Sequence, residues 1–181
     1  MAFQIENPIQ LGDWDNDLRT LAGSNFFHTA AWAAVFVHAY DYRPAYITQR
    51  KGHRLAALLP VMEINSLLTG KRGVSLPFTD FCQPLAANTE QLKDLVVFAL
   101  QQAVKKSWQS LVFRTCKPLP FFETPAHQYR RHRLALDGSC PGVEKKLRKS
   151  TLRNVKRAIR SGVHVSVLQN LSSIRTFYGL N

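Results

Sequence analysis

The segment Ala45–Asn65, AYITQRKGHRLAALLPVMEIN, decides the fold class. Two runs rich in apolar residues, Ala45–Arg50 and Leu55–Asn65, flank a Lys51-Gly52 step that is typical of a tight hairpin turn. A hairpin joins neighbouring strands in antiparallel order. The segment therefore favours an antiparallel or mixed sheet over a doubly wound parallel one.

Helical and strand-like segments alternate on both sides of this hairpin. Helices are predicted where apolar residues recur at helical spacing, and Asp13, Thr29 and Asn88 are the predicted N-caps of the first three. These segments are Trp14–Ala22, Ala30–Tyr40, Thr89–Ser107, Val143–Ser161 and Ser172–Leu180. Further strands are predicted at Val74–Leu76, Ser110–Thr115, Gln128–Leu136 and Val163–Leu168. The predicted class is α/β (α+β), a mixed, mostly antiparallel sheet flanked by helices, with a long basic C-terminal helix.

Composition is that of an ordinary soluble domain, with 45% hydrophobic and 20% charged residues among 181. The cysteines Cys82, Cys116 and Cys140 form no C-x-x-C pair, which fits a reducing cytoplasm. We find neither a signal-peptide pattern at Met1 nor an apolar run of about 18 residues. We therefore expect a cytoplasmic location, with membrane contact only at the periphery.

Positive charge is concentrated between Pro141 and Ser161, in a chain whose formal net charge is +12. The segment contains one acid, Glu144, and these eight cations: Lys145, Lys146, Arg148, Lys149, Arg153, Lys156, Arg157 and Arg160. A solvated surface helix could carry such a run, because Lys and Arg favour helices. However, like charges four residues apart on a helix repel each other. Because the charges of this segment are nearly all positive, the segment favours an anion-binding helix.

A carboxylate lies between aromatic residues in the turn Ser75–Phe81, SLPFTDF. Apolar surroundings could raise the pKa of Asp80 and suit it to proton transfer or to holding an amine. Asp80 could equally cap the turn through a side-chain hydrogen bond to the backbone.

Common catalytic and ligand-binding motifs are missing from the sequence. It has no H-E-x-x-H or Cys/His set for zinc, no phosphate-binding glycine loop and no G-x-S-x-G elbow. Aromatic residues are not interleaved with the basic run, so base stacking on single strands is poorly supported there.

Three segments, in this order, resemble the FemAB-like branch of the GNAT superfamily of acyltransferases. The first runs from Phe27–Trp32, a helix start with a Trp, through Tyr46–Ile47 to Leu58–Val61, a strand with a Leu-Pro step. The second is the Ser75–Phe81 turn. The third is Leu152–Val163, LRNVKRAIRSGV, similar to the family's basic helix.

The resemblance implies a division into 1–140, an N-terminal GNAT-like domain, 141–162, a basic linker helix, and 163–181, the truncated start of a second GNAT-like domain. It implies transfer of an acyl group from acyl-CoA or aminoacyl-tRNA to an amine of a cell-envelope precursor. No cofactor is expected to bind this chain itself. The donor loop of many GNAT enzymes is missing, so we expect no turnover by this chain alone.

Site roles follow from the same resemblance. Asp80 would be the catalytic residue that orients the acceptor amine, and a cluster on the basic helix would hold a phosphate of the acceptor or of tRNA. That cluster consists of Arg153, Lys156, Arg157 and Arg160. The expected partner is an anionic cell-wall or polysaccharide precursor. The alternative hypothesis is a basic nucleic-acid-binding α/β module without catalytic activity.

Overall fold

A computed structural model describes residues 2–79, 81–122, 124–130 and 140–180, except for the side chains of Cys140 and Pro141. The chain divides into two compact units, Met1–Gln128 and Tyr129–Asn181, which are described separately. The first, unit 1, contains the strands β1 Phe3–Glu6, β2 Arg43–Pro44, β3 Tyr46–Lys51, β4 Arg54–Leu59, β5 Met62–Ser66, β6 Gly70–Val74 and β7 Ser110–Val112. Its helices are α1 Trp14–Arg19, α2 Ala30–Tyr40 and α3 Thr89–Lys105.

Unit 1 is a mixed α+β structure with two mostly antiparallel sheets flanked by helices, which confirms the predicted fold class. One sheet has the strand order β1-β3-β4 and the other β2-β5-β6-β7. Strands β6 and β7 pair in parallel, with Gly73 opposite Leu111, and α3 forms the crossover between them. The other pairs are antiparallel.

The predicted hairpin is present, but its second strand is not continuous. Strands β3 and β4 pair with Ile47 opposite Leu59, and Gly52 in the turn has a φ of 61°. The prediction of one strand over Leu55–Asn65 is wrong, because β4 ends before Pro60 and β5 belongs to the other sheet. Proline has no N–H for a strand ladder, so the pairing ends at this position.

Strand β3 faces two separate hydrophobic clusters. Tyr46 packs with Trp14 and Phe36 from α1 and α2, whereas Ile47 packs with Leu95 from α3. Successive side chains of a strand point to opposite faces, so neighbouring residues of β3 contribute to different clusters. These side chains are all almost completely buried.

Two of the three predicted helix caps are present, and the third, Asp13 before α1, forms no side-chain cap hydrogen bond. The Thr29 side chain accepts a hydrogen bond from Trp32 N–H, and α2 spans the predicted residues. The Asn88 side chain accepts from Gln91 N–H at 2.8 Å and begins α3. Such caps satisfy backbone donors that the first helical turn leaves unpaired. On α3, Leu95 and Val96 are buried, whereas Val104 is 82% exposed because it lies on the outer side of the helix.

Unit 2 contains α4 Cys140–Lys146, α5 Lys149–Arg160 and α6 Leu171–Gly179. The prediction of one long helix over Val143–Ser161 is wrong, since the backbone at Arg148 is extended, with a ψ of 146°. A continuous helix would add the like-charged pairs Lys145–Lys149 and Lys146–Lys149, each unfavourable by a few tenths of a kcal/mol. The break removes these pairs from helical register.

The strand predicted at Val163–Leu168 is also absent, and the segment pairs with no strand in the described part of the chain. Its alternating valines are exposed, Val165 by 89% and Val167 by 86%. A strand needs a hydrogen-bonded neighbour, which alternation of apolar residues does not supply. Most of the strand predicted at Gln128–Leu136 lies outside the described residues.

Candidate functional site: a cationic helix face

Helix α5 brings the predicted phosphate-binding cluster together on one side. Each of the four predicted residues, and one further cation, lies three or four positions from another member of the set, so they share a helix face. We call this the α5 basic face, formed by Lys149, Arg153, Lys156, Arg157 and Arg160. Together with Leu152, these side chains line an open groove.

No carboxylate neutralises this face within the described ranges. None of its five cations forms a salt bridge with a described residue, and all five are exposed. In unit 1, by contrast, Arg50 contacts both Glu6 and Asp17 at 2.9 and 2.8 Å. As far as the described residues go, the α5 basic face presents its hydrogen-bond donors to solvent, where an anion could bind them.

The chemistry of the face is binding and charge neutralisation. Arg153, Arg157 and Arg160 each offer a planar fork of N–H donors that fits phosphate or carboxylate in bidentate fashion. Arg157 and Arg160 lie in the last turn, where the helix dipole is negative and favours cations. A face made of guanidinium and ammonium groups supplies no general base at neutral pH.

The second predicted site residue, Asp80, lies outside the described residues, whereas Thr79 and Cys82 near it are held by hydrogen bonds. Thr79 is buried, and its hydroxyl donates to Leu76 O at 2.7 Å. Arg114 donates from its guanidinium to Thr79 O at 3.1 Å, and its own carbonyl accepts from Cys82 N–H at 2.8 Å. Thr79 and Cys82, on either side of Asp80, therefore both hydrogen-bond to Arg114, which lies two residues after the end of β7.

A buried Cys–His contact in unit 1 does not form a reactive pair. His28 Nε2 lies 3.6 Å from Cys82 Sγ but only 2.9 Å from Gln83 O, to which Nε2–H donates. Asn25 N–H donates to Nδ1 of the same ring. Burial raises the pKa of the Cys82 thiol well above its ordinary value, so the thiol stays neutral. The contact is part of the core.

An aromatic surface in unit 1 was not anticipated. Trp32, Phe36 and Tyr40 recur at every fourth residue of α2. This spacing can be read from the sequence and indicates a row of aromatic side chains along one side of the helix. Phe36 is buried, whereas Tyr40, one helical turn further on, is exposed and carries the aromatic row to the surface. Tyr40 stacks on Phe78 with ring centroids 4.8 Å apart.

No family model, no curated protein and no solved structure matches the chain. The resemblance to FemAB-like transferases therefore depends on the three sequence segments alone. Within the described ranges, no helix is long and apolar enough to cross a membrane. Nor do three His, Cys, Asp or Glu side chains come together there as ligands for a metal ion.

Proposed function

We propose that this chain is the N-terminal, acceptor-side part of a FemAB-like acyl- or aminoacyl-transferase, and that the α5 basic face binds phosphate groups. The reaction would move an acyl group from acyl-CoA or aminoacyl-tRNA to an amine of a cell-envelope precursor in the cytoplasm. The observation that carries the proposal is a set of five exposed cations on one side of α5, none of which forms a salt bridge with another described residue.

Repulsion between the like charges of α5 supports phosphate binding over a merely solvated face. Each like-charged pair at i, i+3 or i, i+4 destabilises a helix by a few tenths of a kcal/mol, and α5 accumulates several such pairs. A bound anion converts this repulsion into attraction and adds charge-assisted hydrogen bonds. A helix that only needed solubility could alternate signs and gain from ion pairs.

The proposed chemistry is attack of an amine on the donor carbonyl. Asp80 would orient the acceptor amine, in keeping with its place in the SLPFTDF turn. The α5 basic face would hold a phosphate of the acceptor or of the tRNA. Replacing Asp80 by Asn in a FemAB-like transferase that carries this turn tests the first role through its turnover.

Binding by α5 is tested with the double variant Arg153→Ala/Arg157→Ala. Isothermal titration with deacylated tRNA and with UDP-N-acetylglucosamine, a nucleotide-linked precursor, should show about tenfold weaker binding than in the parent. The log–log salt slope for tRNA should fall by roughly one per arginine removed. The matched control, Lys93→Ala/Lys117→Ala, removes two exposed charges from unit 1 and should bind like the parent.

Equal binding by the Arg153→Ala/Arg157→Ala variant and the parent would remove α5 from the site. Arbitrary duplex DNA serves as the discriminating probe. If the parent binds it as tightly as tRNA, with a steep salt dependence, and ignores the nucleotide-linked precursor, the nucleic-acid-binding module becomes the better description. Preference for the precursor or tRNA over duplex DNA supports the transferase proposal.

A further inference from the structure

Three aromatic rings form a stacked surface at one end of α2. Tyr42 and Tyr40 have ring centroids 5.4 Å apart at 24°, and Tyr40 and Phe78 have centroids 4.8 Å apart at 28°. We call these three residues the aromatic stack. Buried Phe36 packs behind it, with centroids 6.4 to 6.5 Å from each ring. Phe78 is 64% and Tyr40 49% exposed, so the stack presents aromatic surface to solvent.

The backbone that presents Phe78 is unusual. Leu76 and Phe78 have φ angles of 51° and 56°, in the left-handed region that large side chains rarely adopt. Leu76 is completely buried, and Thr79 anchors the turn through its hydroxyl bond to Leu76 O. Surrounding contacts therefore hold the turn in a strained conformation, and in this conformation the Phe78 ring is exposed to solvent. Strain of this kind gathers at ligand sites, where it orders a contact group in advance.

Unit 1 differs in charge from the rest of the chain, and this bears on the ligand. Residues 129–181 contain 12 of the 24 basic residues but two of the 12 acidic ones. The remaining 12 basic and 10 acidic residues leave residues 1–128 nearly neutral. A phosphate-rich ligand is drawn to the strongly basic residues 129–181, whereas the aromatic stack, in the nearly neutral residues 1–128, is suited to an uncharged ligand.

We propose that the aromatic stack binds a neutral sugar ring of an oligosaccharide. A pyranose has an apolar face of C–H groups, which carry partial positive charge and lie well on the negative face of an aromatic ring. Its rim of hydroxyls fits the phenol groups of Tyr40 and Tyr42, which can donate and accept hydrogen bonds. The proposal deepens the proposed function, because it makes the acceptor a saccharide.

Other ligands fit the stack less well. A nucleobase would also stack, but a nucleotide carries phosphates that favour a positively charged site. The opposite charges of Asp41 and Arg43, which flank Tyr42 in sequence, cancel each other. A protein partner would normally be signalled by a broad apolar patch, whereas this exposed surface consists of a few rings.

The experiment measures sugar binding by saturation-transfer NMR with the full chain. The probes are the β-1,4-linked tetramer of N-acetylglucosamine, cellotetraose, maltotetraose and phosphate-free adenosine, each at millimolar concentration. The parent should bind at least one oligosaccharide. Phe78→Gly should weaken that binding about tenfold, and glycine adopts the positive φ of this position without strain. Phe78→Tyr keeps an aromatic ring and should retain the binding.

Phe122→Ala is the matched control, since Phe122 is a 44% exposed aromatic residue of unit 1 outside the stack. It should bind sugar like the parent. Binding of adenosine alone, absence of oligosaccharide binding by the parent, or undiminished binding by folded Phe78→Gly would each overturn the proposal. Failure here is separable from failure of the transferase proposal, because loss of tRNA or precursor binding follows Arg153 and Arg157, whereas sugar stacking follows Phe78.

Discussion

At the scale of single residues, buried polar groups in unit 1 are more informative than its exposed charges. The hydroxyl of Tyr46 is buried and has no hydrogen-bond partner among the described residues. The His28 ring is equally buried, but both of its nitrogens are paired. An unpaired buried polar group costs free energy, whereas a paired one can be close to neutral. The two residues should therefore respond differently to substitution.

Tyr46→Phe is expected to raise the free energy of unfolding by about 1 kcal/mol, because it removes a buried hydroxyl that forms no hydrogen bond. Burial also raises the pKa of Tyr46 above its ordinary value of about 10. The unfolded state therefore loses this proton first, and stability falls as pH rises beyond about 10. Tyr46→Phe should remove that contribution.

Urea denaturation near neutral and at alkaline pH measures both effects. Tyr129→Phe, at a tyrosine that is 90% exposed, is the control and should change stability by less than about 0.5 kcal/mol. A Tyr46→Phe variant less stable than the parent would show that the hydroxyl has a favourable partner.

His28 predicts an acid-side pH dependence. Burial lowers its pKa below 6.5, against the opposing effect of the backbone hydrogen bonds to Gln83 and Asn25. The folded state keeps the ring neutral while the unfolded state takes up a proton, so stability falls as pH drops below about 6.5. The loss from one proton is at most about 1.4 kcal/mol per pH unit.

The test compares urea midpoints between pH 7.5 and 5.5 for the parent, His28→Gln and the exposed control His53→Gln. His28→Gln should be less stable at neutral pH but should show a shallower loss toward acid. An identical slope in the parent and His28→Gln would mean that this histidine does not cause the dependence.

At the scale of elements, the sequence predicted the N-terminal boundaries of α2 and α3 correctly, although the cap predicted at Asp13 is absent. Thr29 and Asn88 begin α2 and α3 as predicted, since a cap acts within one turn of the chain. The sequence did not predict that the Leu55–Asn65 run divides into two strands or that Val163–Leu168 forms none. Both outcomes depend on which strand lies alongside.

Asn88→Ala is expected to lower the free energy of unfolding by about 1 kcal/mol, since it leaves Gln91 N–H without its side-chain acceptor. Asn88→Ser should recover most of this loss. Asn154→Ala, at an exposed position within α5, is the control and should be neutral or slightly stabilising. Chemical denaturation followed by circular dichroism measures all three, and an unchanged midpoint for Asn88→Ala would contradict the role of the cap.

At the scale of the whole molecule, the two candidate sites belong to different units with different charge. Four of the five residues of the α5 basic face, all but Lys149, were predicted, because helical spacing places residues three and four apart on one side whatever surrounds the helix. The aromatic stack joins the end of α2 to a turn almost forty residues later. Helical periodicity could indicate Tyr40 but not its partner Phe78.

The sequence by itself determined the α+β class, the hairpin, the caps of α2 and α3 and the cationic face of α5. All of these depend on interactions within a few residues or on charge. Only the tertiary structure decided that the sheet divides at Pro60, that α4 and α5 are separate and that Phe78 meets Tyr40. The division of the sheet and the meeting of Phe78 with Tyr40 involve distant segments, where packing and strand pairing override local preference. The break between α4 and α5 lies where a continuous helix would bring like charges together.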